Sequence, residues 1–134
     1  MIAQSAAWAS TGDCCKAGKN TIYAIADGKV WTDSQKAGAY KGERLEKAGF
    51  LDAMDTAWQI DHVANKHWKG KSGAMILCID KSKVKPEIKM EKSSSGVYPH
   101  IYGPLNNDAV TAAVDFPAKS DGTFTVPAAI NCTK

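Results

Sequence analysis

Hydrophobic and polar positions along this chain alternate, cluster and thin out in a way that predicts its elements one by one. Thr21 to Ala26 (TIYAIA) alternates β-formers and reads as a first strand, closed by an Asp27-Gly28 turn. Val30, Trp31, Gln35 and Ala37 then suggest a short helix that stops at Gly38. Tyr40 to Ala48 is polar, either irregular or briefly helical, and leads into Gly49-Phe50-Leu51. A second, better helix follows. Asp55 or Thr56 can cap it, Trp58, Ile60, Val63, Ala64, His67 and Trp68 lie near helical spacing, and Gly70 ends it.

Ala74 to Ile79 (AMILCI) is a continuous apolar run of strand length, the best candidate for a central buried strand. Asp80 to Lys85 is a charged connection, and Glu87 to Glu91 alternates as a strand with one wet face. Ser93-Ser94-Ser95-Gly96 is a loop. Val110 to Phe116 and Thr123 to Val126 are two further strands, with a tight turn expected between them at Asp121-Gly122. Residues 1–20 are rich in Ala, Ser and Gly without a clear period and read as an extension before a single domain over 21–134. The sum is an α+β domain, a compact and mainly antiparallel sheet with two helices.

Composition narrows the classes. The chain has 134 residues, 44% of them hydrophobic and 23% charged, which fits one globular domain and excludes disorder. No apolar run approaches the ~18 residues of a membrane span, so no membrane partner is expected. Met1 to Ser10 has neither a basic start nor a long apolar stretch, so it is no signal peptide, although a mature secreted chain would also lack one. The net charge of +3 is spread as lysines beside acids, the pattern of a solvated surface. Only Lys66, Lys69 and Lys71, near His67 and Trp68, hint at a nucleic-acid patch, too little to make nucleic acid the expected partner.

Cys14, Cys15, Cys78 and Cys132 lack the CxxC spacing of zinc and redox sites. Cys14 and Cys15 are poorly placed to pair with each other, but one of them can pair with Cys132. The alternative is four unrelated thiols, with Cys78 a buried apolar residue in a strand and a poor nucleophile. Asn131-Cys132-Thr133 fits the glycosylation sequon. His62 and His67, five apart, miss the i,i+4 spacing of a metal clip, so no metal site is expected there.

Three segments carry a resemblance. The first is Ile22-Tyr23, Trp31, Gly38-Ala39-Tyr40 and Leu45 through Leu51; the second runs from Gln59 through Lys66 to Ile76-Leu77-Cys78-Ile79-Asp80. The third is Glu91, Tyr98-Pro99-His100-Ile101-Tyr102-Gly103-Pro104-Leu105, Ala109-Val110 and Asp121 to Pro127. Together, over about Thr21 to Pro127, they resemble the domain-of-unknown-function family numbered 952. The resemblance implies a fold similar to the ADP-ribosyltransferase group, with a cleft between strands. It implies no activity, and the fold analogy to NAD-using enzymes is associational. It also implies histidines where this chain has Ala24 and Asp52, and a serine where it has Met54.

Within the third segment His100 is the strongest candidate for chemistry, because an imidazole exchanges protons at neutral pH. Strand alternation would put Tyr98, His100 and Tyr102 on one face, although His100 can equally pin the Gly103-Pro104 turn. Asp52 can orient His100, act as a base itself, or cap the following helix. Glu91 can supply a second carboxylate or be an exposed strand residue. Arg44 can hold an anionic group through its planar fork, or pair with Glu43 or residues near Glu46. Tyr23 and Trp31 can wall an aromatic ligand or pack the core.

The expected function is therefore that of a small cofactor-independent enzyme on a small organic molecule. His100, Asp52 and Glu91 would be catalytic, and Tyr23, Trp31, Arg44, Tyr98 and Tyr102 would bind the ligand. Isomerisation, cyclisation and hydrolysis all fit. A non-catalytic secreted binding or effector protein on the same scaffold is the alternative, and residual NAD or ADP-ribosyl chemistry the third reading. Secretion is favoured slightly over the cytoplasm.

Overall fold

The strands predicted at both ends of the apolar pattern pair with each other. β1 (Thr21–Asp27) and β4 (Ala74–Asp80) run antiparallel from Thr21 opposite Asp80 to Asp27 opposite Ala74. In this computed structural model, Cys15 and residues 18–131 are described. β4 lies between β1 and β8 (Val110–Asp115), which explains why Ala74 to Ile79 is apolar without alternation: both of its faces are covered. Ile22, Ala24, Met75, Leu77 and Ile79 face one core, while Tyr23, Ile76, Cys78 and Val114 face the other.

Three helices are present among the described residues where two were predicted. α1 (Gly28–Ala37) starts at Asp27, whose carboxylate accepts the backbone N–H groups of Lys29 at 2.9 Å and Val30 at 3.1 Å, and it stops at Gly38. α2 (Gly42–Ala48) is the addition, made from the segment read as irregular or briefly helical. Its composition favours a helix, but only Leu45 packs against the core, so no amphipathic period marks it. α3 (Ala57–His67) is capped by Thr56, whose hydroxyl accepts from Gln59 N–H at 3.0 Å. No helix among the described residues is long and apolar enough to cross a membrane.

A second sheet holds β3 (Leu51–Asp52), β6 (Gly96–Tyr102) and β5 (Glu87–Ser93) in that order. Leu51 lies opposite Ile101 and Asp52 opposite His100. One residue on, Ala53 N–H donates to the Pro99 carbonyl at 3.0 Å, and Met54 exchanges two 2.7 Å bonds with Tyr23 of β1. Leu51 to Met54 thus crosses from one sheet to the other. A short ribbon of β2 (Ala39–Tyr40) and β7 (Leu105–Asn106) completes the antiparallel set.

Two expectations need correction. Thr123 to Val126 is not a strand. The turn at Asp121-Gly122 does form, with Gly122 N–H on the Lys119 carbonyl at 2.8 Å, but the segment then lies on α3 instead of β8. The Asn65 side chain binds both backbone groups of Phe124, at 3.0 and 2.7 Å, and the Asp61 carboxylate accepts from Val126 N–H at 2.8 Å. Side chains of a helix take the place of a strand partner.

The second correction concerns the cysteines. Cys15 is bonded to Cys78, 63 positions away, and Cys78 is not a free thiol. Cys78 projects from β4 into the core shared with Cys15 and Ile130, and Cys15 N–H donates to the Ala129 carbonyl at 2.9 Å. Sequence distance hid that neighbourhood. Cys14, Cys132 and the Thr133 of the sequon lie outside the described residues.

Candidate functional site

The crossing segment Leu51 to Met54 sets the site, because it lays Asp52 beside His100 and carries Met54 to β1. Three carboxylate and imidazole groups meet there. His100 Nδ1 is 2.7 Å from Glu91 Oε1, and His100 Nε2 is 3.6 Å from Asp52 Oδ1. The imidazole is largely covered, 13% exposed, whereas the carboxylates of Glu91 and Asp52 are open at 37% and 40%. Glu91 stands opposite Tyr98 on the hairpin, so His100 and Tyr102 are its further neighbours on the same face.

Glu91 Oε1 also accepts the Tyr102 hydroxyl at 2.5 Å. The phenol first, and His100 second, hold the Glu91 carboxyl below its usual range. The same bond pushes the Tyr102 phenol up, keeping it a donor. Glu91 is therefore an anion at neutral pH, fixed on two donors. With Nδ1 directed at Glu91, Nε2 is the ring nitrogen on the Asp52 side.

Phe50 and Arg44 complete the surroundings. The Phe50 ring stacks on His100 at 4.0 Å between centroids and 16° between planes. Arg44 lies over the Phe50 ring at 5.4 Å and donates from Nε to Asp52 Oδ2 at 3.0 Å. Guanidinium, phenyl and imidazole form one stack, so water is kept from a face of the His100 ring and Asp52 has a counter-charge. Lys89 sits 4.9 Å from the Tyr102 ring. Among the described residues no three metal-ligating side chains converge.

His100, Asp52, Arg44 and Tyr98 line a cleft of ≈ 700 Å³, and so do Ala24 and Met54. All three positions where the resemblance implies other residues therefore border this space. Glu91 is not part of the lining and reaches it only through His100. Tyr98 is buried, with its hydroxyl 2.6 Å from Ser95 Oγ at the hairpin tip. Tyr102 stands outside the cleft.

Tyr23 and Trp31 belong to the core, 4% and 1% exposed, and neither lines the cleft. Trp31 packs edge-on against Tyr40. Arg44 pairs with Asp52, a partner not weighed for it from sequence. Asp52 does not cap α3, since Thr56 does.

Sequence reasoning passed over Phe50, although it shares a side of the short strand with Asp52 and that spacing was visible. The residues at the end of α3 were legible only as a weak basic patch and a rejected metal clip, not as a cleft wall. His62 and Lys66 are one helical turn apart and line the cleft with His67, Trp68 and Lys71.

Comparison with known proteins bears on fold and kinship. The crystal structure of protein CC0527 from Caulobacter crescentus superposes with a TM-score of 0.71 at 24% identity, covering 78% of this chain and 93% of that one. The solution NMR structure of CC0527 gives a TM-score of 0.65 at 26% identity, covering 78% and 90%. At this identity the likeness speaks for a shared α+β fold. A comparison with curated proteins returns no match. The family described as "Protein of unknown function (DUF952)" matches residues 25–113, from β1 into β8, and the chain belongs to that family.

Proposed function

We propose that this domain is a cofactor-independent enzyme that uses acid–base catalysis on a small organic molecule held in the cleft. The observation that carries the proposal is the 2.7 Å contact between His100 Nδ1 and Glu91, with Nε2 left on the side of Asp52. A base needs a positioned lone pair and a partner that fixes its tautomer, and Glu91 supplies the second. A proton taken by Nε2 leaves an imidazolium with a carboxylate on either side. Asp52, neutralised by Arg44, stands 3.6 Å from that nitrogen and would orient the reacting group or relay the proton. Tyr98 and Arg44 would position the ligand, with Phe50 shielding the ring.

The histidine–carboxylate contact favours catalysis over a non-catalytic binding or effector role, for which a pocket without such a pair would suffice. The ADP-ribosyltransferase-like kinship implied by the resemblance, and residual NAD chemistry with it, belong to the same proposal in a lower place. Micromolar binding of NAD in a calorimetric titration would raise them. The Cys15–Cys78 disulfide supports an oxidising compartment, and hence secretion.

The test is a turnover screen in D2O, with mixtures of small metabolites followed by proton NMR so that net conversion and C–H exchange are both seen. For a substrate found this way, His100→Asn should lower the rate by about 10²–10⁴-fold, the usual worth of a positioned base. Equal rates for the parent and His100→Asn would sink the proposal.

A further inference from the structure

The acid–base wall is only part of the cleft, and basic side chains outnumber acidic ones over the rest of its lining. All three histidines of the chain, His62, His67 and His100, border this one space, as does its one arginine, Arg44. Lys66 and Lys71 border it as well, from the end of α3 and the turn that follows. Two acids oppose them, and both are engaged. Asp27 accepts two backbone N–H groups at the start of α1, and Asp52 is held by Arg44.

Lys66 and Lys71 differ from the other charged groups there. Neither makes an ion pair among the described residues; Lys71 lies 5.3 Å from the Trp68 ring, and Lys66 has no charged partner. His62 is braced by the exposed Trp58, whose ring stacks on it at 4.8 Å. Ser94 from the β5–β6 hairpin adds a hydroxyl to the lining, beside Ser93 and Ser95, whose hydroxyls are engaged with Gly96 and Tyr98. Concave walls with an excess of one sign of charge concentrate counter-charged ligands, and ammonium, imidazole and hydroxyl donors suit an oxyanion. The ≈ 700 Å³ cleft falls within the range of small-molecule sites and leaves room for an organic body beside the anionic group.

We propose that the ligand of this cleft is an organic anion whose phosphate or carboxylate is taken by Lys66 and Lys71, with its apolar part on Trp68. The inference rests on the acid–base reading only for the claim that such an anion is also the substrate of His100. Charge at the α3 end selects and orients the molecule, and the reacting end lies at His100 and Asp52.

The experiment uses the full chain and three matched probes: phenyl phosphate, phenylacetate and neutral benzyl alcohol. Binding is read from the Trp68 indole N–H and the histidine ring signals by NMR. One or both anions should shift these signals saturably and benzyl alcohol should not, and the stronger anion identifies phosphate or carboxylate as the natural group. Removing two exposed charges in Lys66→Gln/Lys71→Gln should weaken the anions roughly tenfold, and the effect should shrink with added salt. Lys66→Arg/Lys71→Arg should restore binding. Both lysines are exposed, so neither pair threatens the fold.

Equal binding of all three probes, or anion binding undiminished by the Gln pair, would overturn the inference. A His100-dependent reaction confined to neutral molecules would overturn it too, while leaving the acid–base reading intact. Lysine-dependent anion binding with no His100-dependent turnover of any anion would support the site and overturn only the claim that the anion is the substrate of His100.

Discussion

Removing the Cys15–Cys78 disulfide should cost the domain a large share of its stability. The bond joins positions 63 residues apart, closing a loop that contains β1 to β4 and all three helices. On the chain-entropy argument, a loop of that length restricts the unfolded chain by about 14 cal/mol/K, or about 4 kcal/mol at 25 °C. Domains of this size are stable by only about 5–15 kcal/mol, so the loss is a large share of the whole.

The perturbation should be Cys15→Ala/Cys78→Ala. Both sulfurs lie in an apolar core, at 1% and 0% exposure, and serine would strand hydroxyls there. Urea unfolding is the assay. With a slope of about 1.5 kcal/mol/M, the midpoint should fall by roughly 2–3 M, and the thermal midpoint by roughly 10–15 °C. The parent refolded under reductant should match the variant. Reductant added to the folded parent should act slowly, because the buried bond is reached only through opening.

Peptide mapping checks the pairing itself. Cys14 and Cys15 share the tryptic peptide ending at Lys16, so the map requires a Cys14→Ser background. There the Cys15 peptide should be linked to the one running from Ser72 to Lys81. A midpoint within about 0.5 M of the parent, against the 2–3 M the entropy argument demands, would refute the reasoning. So would a map in which Cys78 is unlinked.

Asn65→Ala should cost about 2–3 kcal/mol, because both backbone groups of Phe124 lose their partner at once, and amide exchange at 123–126 should quicken while β4 stays protected. Exchange spreading evenly over β4 would show that Asn65 does more than hold this segment. Tyr40 gives a pH signature: burial first, then the charge of Asp27, pushes its phenol up from 10.0 to about 12. A raised pKa means the associated stability is intact below pH 10 and is lost as pH climbs to 12, by about 3 kcal/mol for two units. Tyr40→Phe should lose less stability than the parent between pH 10 and 12 in urea titrations; parallel curves would contradict the assignment.

How much of the fold could be read from the chain depended on whether a signal was local. β1 and β4 were legible because alternation and an unbroken apolar run each follow from how many faces of a strand are covered. α1 was legible from its Gly38 stop. The strand expected at Thr123 to Val126 does not form; a turn signal such as Asp121-Gly122 says nothing of what fills the backbone bonds after it. Asn65 and Asp61 fill them from α3. The disulfide partner was illegible for a related reason: the cysteines meet only after Cys78 takes its side of the sheet.

The site divides along the same line, and its least legible part has a single origin. His100 could be chosen from the chain by the chemistry of its side chain alone. Glu91 could only be offered beside an exposed alternative, because it meets His100 across a hairpin register, with Tyr98 and not His100 directly opposite it. The Arg44–Asp52 pair was out of reach because α2 was. With one apolar residue against the core, that helix leaves almost no periodic trace, yet it is what carries Arg44 onto the Phe50 ring and the Asp52 carboxylate. Reading 42–48 as helical would have put Arg44 in its first turn, ahead of Phe50 and Asp52 on one side of β3. An element left open between two readings and a missed contact in the site thus have one origin. The same holds for Lys66 and Lys71, whose meaning depends on α3 and its following turn bordering the cleft, which no spacing within the helix reveals.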